Sequence, residues 1–214
     1  MDNNLSLCHH YPDWTSGNRR QRDYQHLVDE GKGLWWYQSC MSEGCSSSVQ
    51  PAHGSDAPGC VPSDTCVNNT WPNYMIDTKA TFNRVMSWMS FSYAMQGELY
   101  WGSNAADITY TNSSNSSWEQ QWLAGGNGDG SLTCPGRPDH IGGNSFIPIA
   151  SIRLKHIRDG LEDLEYMYIL QDSVGRDAAE AIVDRVVKHA YQWDHDPVVM
   201  LNARERLAAA IIDI

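Results

Sequence analysis

The stretch that decides the fold is SIRLKHIRDGLEDLEYMY, residues 151–168. Its apolar residues recur at intervals of three and four, which is the period of a helix with one buried face. These residues are Leu154, Ile157, Leu161, Leu164 and Tyr168. Ser151 stands just before the pattern, where its hydroxyl can cap the first turn. The stretch therefore predicts a long helix that lies against a sheet.

Short apolar segments upstream predict strands that alternate with helices. Residues 5–8 and 33–38 are typical of strands, and residues 19–30 between them have helical character. Further strands are expected at residues 98–101 and 132–134. About four strands alternating with helices predict an α/β fold with parallel pairing and right-handed crossovers.

Three more helices are expected. The first has one apolar face, with Asp77 as its cap and Gly97 as its left-handed end. That face consists of Phe82, Val85, Met86, Met89 and Tyr93. Two helices close the chain, at residues 176–191 and 197–212, the second with Asp196 as cap and a proline in its first turn.

Composition argues against two classes of partner. The formal net charge is −11 and the sequence has no long cluster of Lys and Arg, so a nucleic-acid surface is not expected. No apolar run approaches the roughly 20 residues that a membrane-spanning helix needs. Because 41% of the residues are hydrophobic, the chain has enough apolar material for a packed core. We expect a folded protein that binds neither nucleic acid nor membrane.

Cysteines and glycosylation sequons indicate the secretory pathway. Residues 39–73 form a long loop rich in Gly, Pro and Ser, in which close cysteine pairs favour disulfides over free thiols. The cysteines of this loop are Cys40, Cys45, Cys60 and Cys66. Sequons stand at Asn4, Asn68, Asn112 and Asn115. We expect a secreted or lysosomal glycoprotein whose signal peptide is not in this chain, since the first residues lack its basic and apolar profile.

Several short motifs occur in a recognisable order along residues 5–172. The motifs are Gly33-Leu34-Trp35-Trp36-Tyr37, Trp71-Pro72-Asn73, Arg84 with Trp88, Gly97-Glu98-Leu99-Tyr100-Trp101, Gly128-Asp129-Gly130-Ser131-Leu132, Pro135-Gly136 and the helix that follows Ser151. Together they resemble the C-terminal part of the catalytic domain of glycoside hydrolase family 123, the β-N-acetylgalactosaminidase-like family. Their order and spacing, more than any single motif, carry the resemblance.

This resemblance implies a (β/α)8 TIM-type barrel. Four β/α units make half of such a barrel, and a complete one needs roughly 250 residues. We therefore expect residues 1–172 to be the C-terminal half of the barrel and residues 173–214 to be a helical extension packed on it. The N-terminal half of the same barrel is then the expected protein partner, and the true N-terminus is expected to be missing.

The resemblance also implies a retaining, substrate-assisted hydrolysis of β-linked N-acetylgalactosamine-type glycans. An adjacent Asp-Glu pair does the chemistry in this family: the Asp orients the 2-acetamido group as internal nucleophile, and the Glu acts as acid and base. That pair lies upstream of every motif matched here, so no catalytic residue is expected in this chain. Asp29 and Glu30 are adjacent, but they end a predicted helix on the side of the barrel away from the active site.

Aromatic and amide side chains at strand ends are the candidate sugar-binding residues. Tyr37 ends one strand and Trp101 the next, and a flat aromatic ring can stack on the apolar face of a pyranose. Trp71 and Asn73 close the long loop, where an indole and an amide suit a neutral sugar. Core packing is the alternative for Tyr37, and a turn or a helix cap is the alternative for Asn73.

Two charged residues complete the candidate set. Asp129 sits between glycines in a loop, although a turn stabilised by its own carboxylate is the alternative. Arg153 lies in the first turn of the helix that follows Ser151, nearest the carboxyl end of the preceding strand. The other charges of that helix are expected to fix it to the barrel.

No cofactor and no metal are expected. Cys8, His9 and His10 are adjacent, but neighbouring residues on a strand point in different directions and no Cys-X-X-Cys motif supports a zinc site. Two other functions stay open. The chain can be a non-catalytic, secreted carbohydrate-binding module, or an enzyme of the same fold with another substrate, since fold does not fix function.

Overall fold

A computed structural model describes residues 5–8, 26–27, 29–37, 72–105, 118, 121–123, 126–189 and 192–214, with the backbone alone at 5–8, 122–123, 126 and 189. The predicted site residue Trp71, the loop cysteines, the sequons, His9 and His10 lie outside the described residues. The elements are β1 (Leu5–Cys8), β2 (Gly33–Tyr37), α1 (Ala80–Ser92), β3 (Gly97–Leu99), β4 (Trp122–Leu123), β5 (Gly126–Asn127), β6 (Thr133–Gly136), α2 (Pro138–Ile141), β7 (Ile147–Ala150), α3 (Ile152–Val174), α4 (Arg176–Val183), β8 (Val187–His189), β9 (Gln192–Trp193) and α5 (Pro197–Ile212).

The main sheet is parallel, as the alternation of strands and helices predicts. Its order is β1-β2-β3. Leu5 pairs with Gly33 at one end, and Tyr37 pairs with Leu99 at the other. Because all three strands run the same way, their carboxyl ends meet at one edge, which we call the carboxyl edge. The mixed α/β character of the prediction is confirmed, whereas the half-barrel stays a prediction.

The fourth predicted strand does not join this sheet in the described part of the chain. β6 pairs antiparallel with β7, which sequence analysis did not anticipate. The reason is visible at Leu132, whose N–H donates to Ser103 O at 2.7 Å in the loop that follows β3. β6 therefore starts at the carboxyl edge but forms one arm of a separate hairpin with β7.

Helices cover one face of the sheet and form the core. α1 is buried along nearly its whole length because it packs against α3 on one side and against Leu34 and Trp36 of the sheet on the other. Ser151 caps α3 as predicted, accepting a hydrogen bond from Leu154 N at 3.4 Å. The buried core consists of Leu34, Phe82, Val85, Trp88, Met89, Phe91, Tyr93, Met95, Met167, Leu170, Ala179, Val183, Val186, Val187, Trp193, Met200, Ala203 and Leu207. No helix in the described ranges is long and apolar enough to cross a membrane.

Both predicted ends of α1 are wrong. Lys79, and not Asp77, is the residue at the N-cap, and no side chain caps this end. The left-handed residue after the helix is Ala94, with φ 55°, whereas Gly97 is already in β3. Glycine is needed at position 97 for another reason: a Cβ there would lie 2.5 Å from the ring of Trp35 on the neighbouring strand.

The C-terminal segment packs on α1 and α3 with one helix shorter than predicted. Asp196 caps α5 through Val198 N at 2.9 Å, as expected. The predicted helix 176–191, however, ends as α4 at Val183 and continues into the hairpin β8–β9. Val187 is fully buried in this hairpin, so burial of a β-branched residue against the core outweighs the helical pattern.

Candidate functional site

The predicted site residues at strand ends gather at the carboxyl edge. Tyr37 is the last residue of β2, and Trp101 follows the end of β3 by two residues. Since Tyr37 pairs in register with Leu99, Tyr37 and Trp101 belong to the same edge of the sheet. Edges of this kind, where parallel strands end, are where α/β folds place their ligands.

Alternation along β2 decides which face Tyr37 uses. Leu34 is buried in the core, and Trp36 donates its indole N–H to Ser90 Oγ of α1 at 3.1 Å. These two side chains therefore face the helices, and Trp35 and Tyr37 face the opposite side. Core packing was the alternative that the sequence left open for Tyr37, but of the three aromatic residues of β2 only Trp36 points into the helix-covered layer.

Trp101 is held in place by Asp129. The Trp101 indole N–H donates to Asp129 Oδ1 at 2.9 Å, and the Tyr100 hydroxyl donates to the same oxygen at 2.8 Å. The Trp101 ring also covers Gly130, which has φ +69° and leaves no room for a Cβ. Trp101 as a whole residue is nevertheless 42% exposed, so the site presents a fixed, partly open aromatic residue.

Asp129 itself is almost fully buried, with 2% exposure. Burial raises the pKa of this carboxyl, while the hydrogen bonds from Trp101, Tyr100 and the Gly130 N–H lower it. Because the carboxylate already accepts from several donors, its geometry is that of a residue that orients Trp101. Direct sugar contact by Asp129 stays a prediction.

Arg153 binds three backbone carbonyls from two segments of the chain at the same edge. Its guanidinium donates to Tyr74 O at 2.5 Å, to Gly128 O at 2.7 Å and to Ser131 O. The side chain is 5% exposed, and burial lowers the pKa of its guanidinium. Arg153 thus joins the segment before α1 to the loop that carries Asp129. Its predicted contact with substrate is untested.

Asn73 is fully buried and forms a turn. Its side-chain oxygen accepts from Met75 N at 3.0 Å and from Thr78 Oγ1 at 2.9 Å, and its carbonyl accepts from Asn83 Nδ2 at 2.8 Å. This is the geometry of the alternative role that the sequence left open for Asn73. It places Asn73 directly before Tyr74, which Arg153 holds.

A Glu–Tyr pair at this edge, in which Tyr74 is buried and Glu98 half-buried, was missed by sequence reasoning. Tyr74 donates its hydroxyl to Glu98 Oε1 at 2.5 Å, and its ring packs edge-on against Tyr100 with centroids 5.0 Å apart. Burial raises the pKa of Glu98 to about 7, against a smaller lowering by the Tyr74 hydrogen bond. Glu98 pairs in register with Trp36 and so points toward the helices. No local sequence signal links the pair, because its members are 24 residues apart.

The Glu98 carboxyl should make stability pH-dependent. Its pKa is about 7 in the folded chain and about 4.5 ordinarily, so the folded state holds the proton between these values and stability falls as pH rises through them. Glu98→Gln should abolish this fall. Between pH 5 and pH 8 we expect the free energy of unfolding of the native chain to fall by roughly 1–2 kcal/mol more than that of the variant. This is less than the full difference in pKa would give, because Glu98 keeps some contact with water.

Urea unfolding of both proteins at pH 5 and pH 8 measures this difference. Glu30→Gln is the matched control, because Glu30 is exposed and pairs with Lys32 at 2.7 Å at the amino end of β2. Identical pH profiles for the native chain and Glu98→Gln would contradict the assignment.

Comparison with known proteins decides the family. The family model described as "Glycoside hydrolase 123, catalytic domain" matches residues 64–170, which is half of the chain. The chain belongs to glycoside hydrolase family 123. The matched segment includes the predicted site residues Trp71, Asn73, Trp101, Asp129 and Arg153, whereas Tyr37 precedes it.

A solved structure supports the fold of this family 123 chain. It is a family 123 glycoside hydrolase from Clostridium perfringens whose structural analysis addressed glycolipid glycan hydrolysis. The two proteins are 14% identical, with a TM-score of 0.56, and the match covers 98% of the present chain. It covers 32% of the Clostridium perfringens chain, so the family 123 chain spans about a third of that protein. No protein of curated function matches the sequence.

Proposed function

We propose that this chain is the sugar-binding C-terminal half of a family 123 (β/α)8 barrel that hydrolyses β-linked N-acetylgalactosamine-type glycans. The mechanism is substrate-assisted, with retention of configuration. An N-terminal half of the same barrel pairs with the open edges of the sheet and contributes the catalytic Asp-Glu pair. The present chain contributes the aromatic wall against which the sugar packs.

The observation that carries the proposal is the fixed indole of Trp101. Its N–H is bound by a buried carboxylate, so the ring is held in one orientation while part of its face stays open to solvent. A ring fixed before binding loses little conformational entropy when a sugar stacks on it. Tyr37, at the end of the neighbouring strand, adds a phenol that can bond a hydroxyl or the acetamide.

The positions of the carboxyl groups in this chain favour a catalytic pair that comes from the N-terminal half of the barrel. Asp129 is occupied by Trp101 and Tyr100, and Glu98 lies on the helix-facing side of the sheet. Asp29 and Glu30 precede β2 and so lie at the end opposite the carboxyl edge. None of these four carboxyl groups is placed to act as the catalytic acid on a sugar that stacks on Trp101. This supports a catalytic pair in the preceding half of the barrel.

The purified 214-residue chain should bind methyl β-N-acetylgalactosaminide without cleaving aryl β-N-acetylgalactosaminides. Calorimetry measures the first property, and release of the aryl group measures the second. Turnover by the chain that survives Asp29→Asn with Glu30→Gln would contradict the assignment of the acids to another half. Binding without turnover in the complete native protein would instead favour a carbohydrate-binding module.

A further inference from the structure

A second exposed indole lies near the hairpin formed by β6 and β7. Both ends of this hairpin are fixed at the carboxyl edge: Leu132 N donates to Ser103 O at 2.7 Å, and Ser151 N donates to Leu132 O at 3.0 Å. The hairpin, with α2 between its strands, therefore extends outward from the same edge that carries Trp101. The hairpin therefore holds its side chains near the edge that carries Trp101.

Trp118 is held against this hairpin. Its indole N–H donates to Pro135 O of β6 at 2.9 Å, and its ring stacks on His140 of α2 with centroids 6.5 Å apart and planes 14° from parallel. Trp118 as a whole residue is still 41% exposed, close to the 42% of Trp101. Trp101 and Trp118 thus share one arrangement, an indole fixed through its N–H with part of its surface open to solvent.

The backbone sites that hold the two indoles lie within reach of one oligosaccharide. Trp101 packs on Gly130 and Trp118 bonds to Pro135, and five residues of extended chain span at most about 18 Å.

Polar groups accompany the second indole, since Asp139 and His140 are adjacent and exposed, with 3.7 Å between Oδ2 and Nε2. A flat apolar surface with polar groups at its side suits a neutral sugar unit.

We propose that Trp118 and His140 form a second sugar subsite, which binds the glycan unit beyond the terminal N-acetylhexosamine. The protein then selects oligosaccharides over single sugars. This inference rests on the proposed function, because it places a longer glycan across the Trp101 wall. Trp118 is the binding platform, and His140 holds its ring in place from one side.

Chain-length dependence of affinity tests the subsite. The full 214-residue chain and its variants are titrated calorimetrically with methyl β-N-acetylgalactosaminide and with a tetrasaccharide that ends in β-linked N-acetylgalactosamine. Trp118→Ala should weaken tetrasaccharide binding roughly five- to tenfold and leave the monosaccharide unchanged. Trp101→Ala should weaken binding of both ligands.

Phe146→Ala is the matched control, because Phe146 is a 56% exposed aromatic residue beside β7 of the same hairpin. Native affinity for the tetrasaccharide in Trp118→Ala would overturn the subsite. An equal loss of tetrasaccharide affinity in Phe146→Ala would also overturn it, because it would indicate a general apolar surface. Failure of the native chain to bind either ligand would contradict the proposed function itself, and the subsite with it.

Discussion

Asp163→Asn is expected to lower the free energy of unfolding by about 3 kcal/mol, because it removes the buried anion that joins three helices. Asp163 is fully buried on α3. Arg84 of α1 donates to both of its oxygens, at 2.6 and 2.8 Å, and Arg204 of α5 donates to Oδ1 at 2.9 Å. The Trp88 indole N–H adds a fourth hydrogen bond at 2.9 Å.

The substitution keeps the volume of the side chain but leaves two guanidinium groups without their shared anion. An asparagine amide would also turn a donor toward one of these cations. We place the effect at the lower end of the range of about 3–5 kcal/mol for a broken buried ion pair, since both arginines keep some contact with water.

Asp159→Asn is the control on the same helix. Asp159 bonds to Arg158, its exposed neighbour, at 2.7 Å, and a surface pair of this kind contributes at most about 1 kcal/mol. Urea unfolding of the three proteins at one pH gives the comparison. Equal stability losses in the two variants would show that the Asp163 network does not hold the helices together.

Trp101→Ala is expected to weaken binding of a β-N-acetylgalactosaminide by roughly 30- to 150-fold, or about 2–3 kcal/mol. Alanine removes both the stacking surface and the group that Asp129 orients. Trp101→Phe keeps an aromatic face but loses the N–H, so a smaller loss is expected, through a less ordered ring. Calorimetric titration of native chain and variants measures both effects.

Trp36→Phe separates binding from stability. Trp36 bonds to Ser90 on the helix-facing side of the sheet, so its replacement should cost stability and leave sugar affinity unchanged. Native affinity of Trp101→Ala for the β-N-acetylgalactosaminide would show that Trp101 does not form a sugar-binding surface at this edge.

Local patterns in the sequence predicted much of the sheet and its helices. β2, α3 with its Ser151 cap and α5 with its Asp196 cap follow from periodicity and from caps that act over a few residues. The alternation of strands and helices also predicted the parallel pairing of β1, β2 and β3. The chain's family was likewise readable from the order of short motifs.

What the sequence did not predict depends on contacts between distant residues. The Gly97 position looked like a helix end, but its glycine accommodates the ring of Trp35 across the sheet. Val187 looked helical, but burial against the core draws it into a hairpin. β6 looked like a sheet strand, but its start bonds to the loop after β3.

The candidate site was predictable in its location and less so in the roles of its residues. Strand ends pointed to Tyr37 and Trp101, which lie at one edge. Asp129 and Arg153 also gather there, yet their partners are an indole, a phenol and backbone carbonyls, which no spacing reveals. The Tyr74–Glu98 pair had no sequence signal at all.

The most direct test of the central claim is the indole N–H region of the NMR spectrum during titration with methyl β-N-acetylgalactosaminide. With the Trp101 signal assigned from Trp101→Phe, the account predicts that this signal shifts with bound sugar while those of the buried Trp88 and Trp193 stay in place. An unshifted Trp101 signal at saturating sugar would contradict the claim that this edge is a carbohydrate-binding wall.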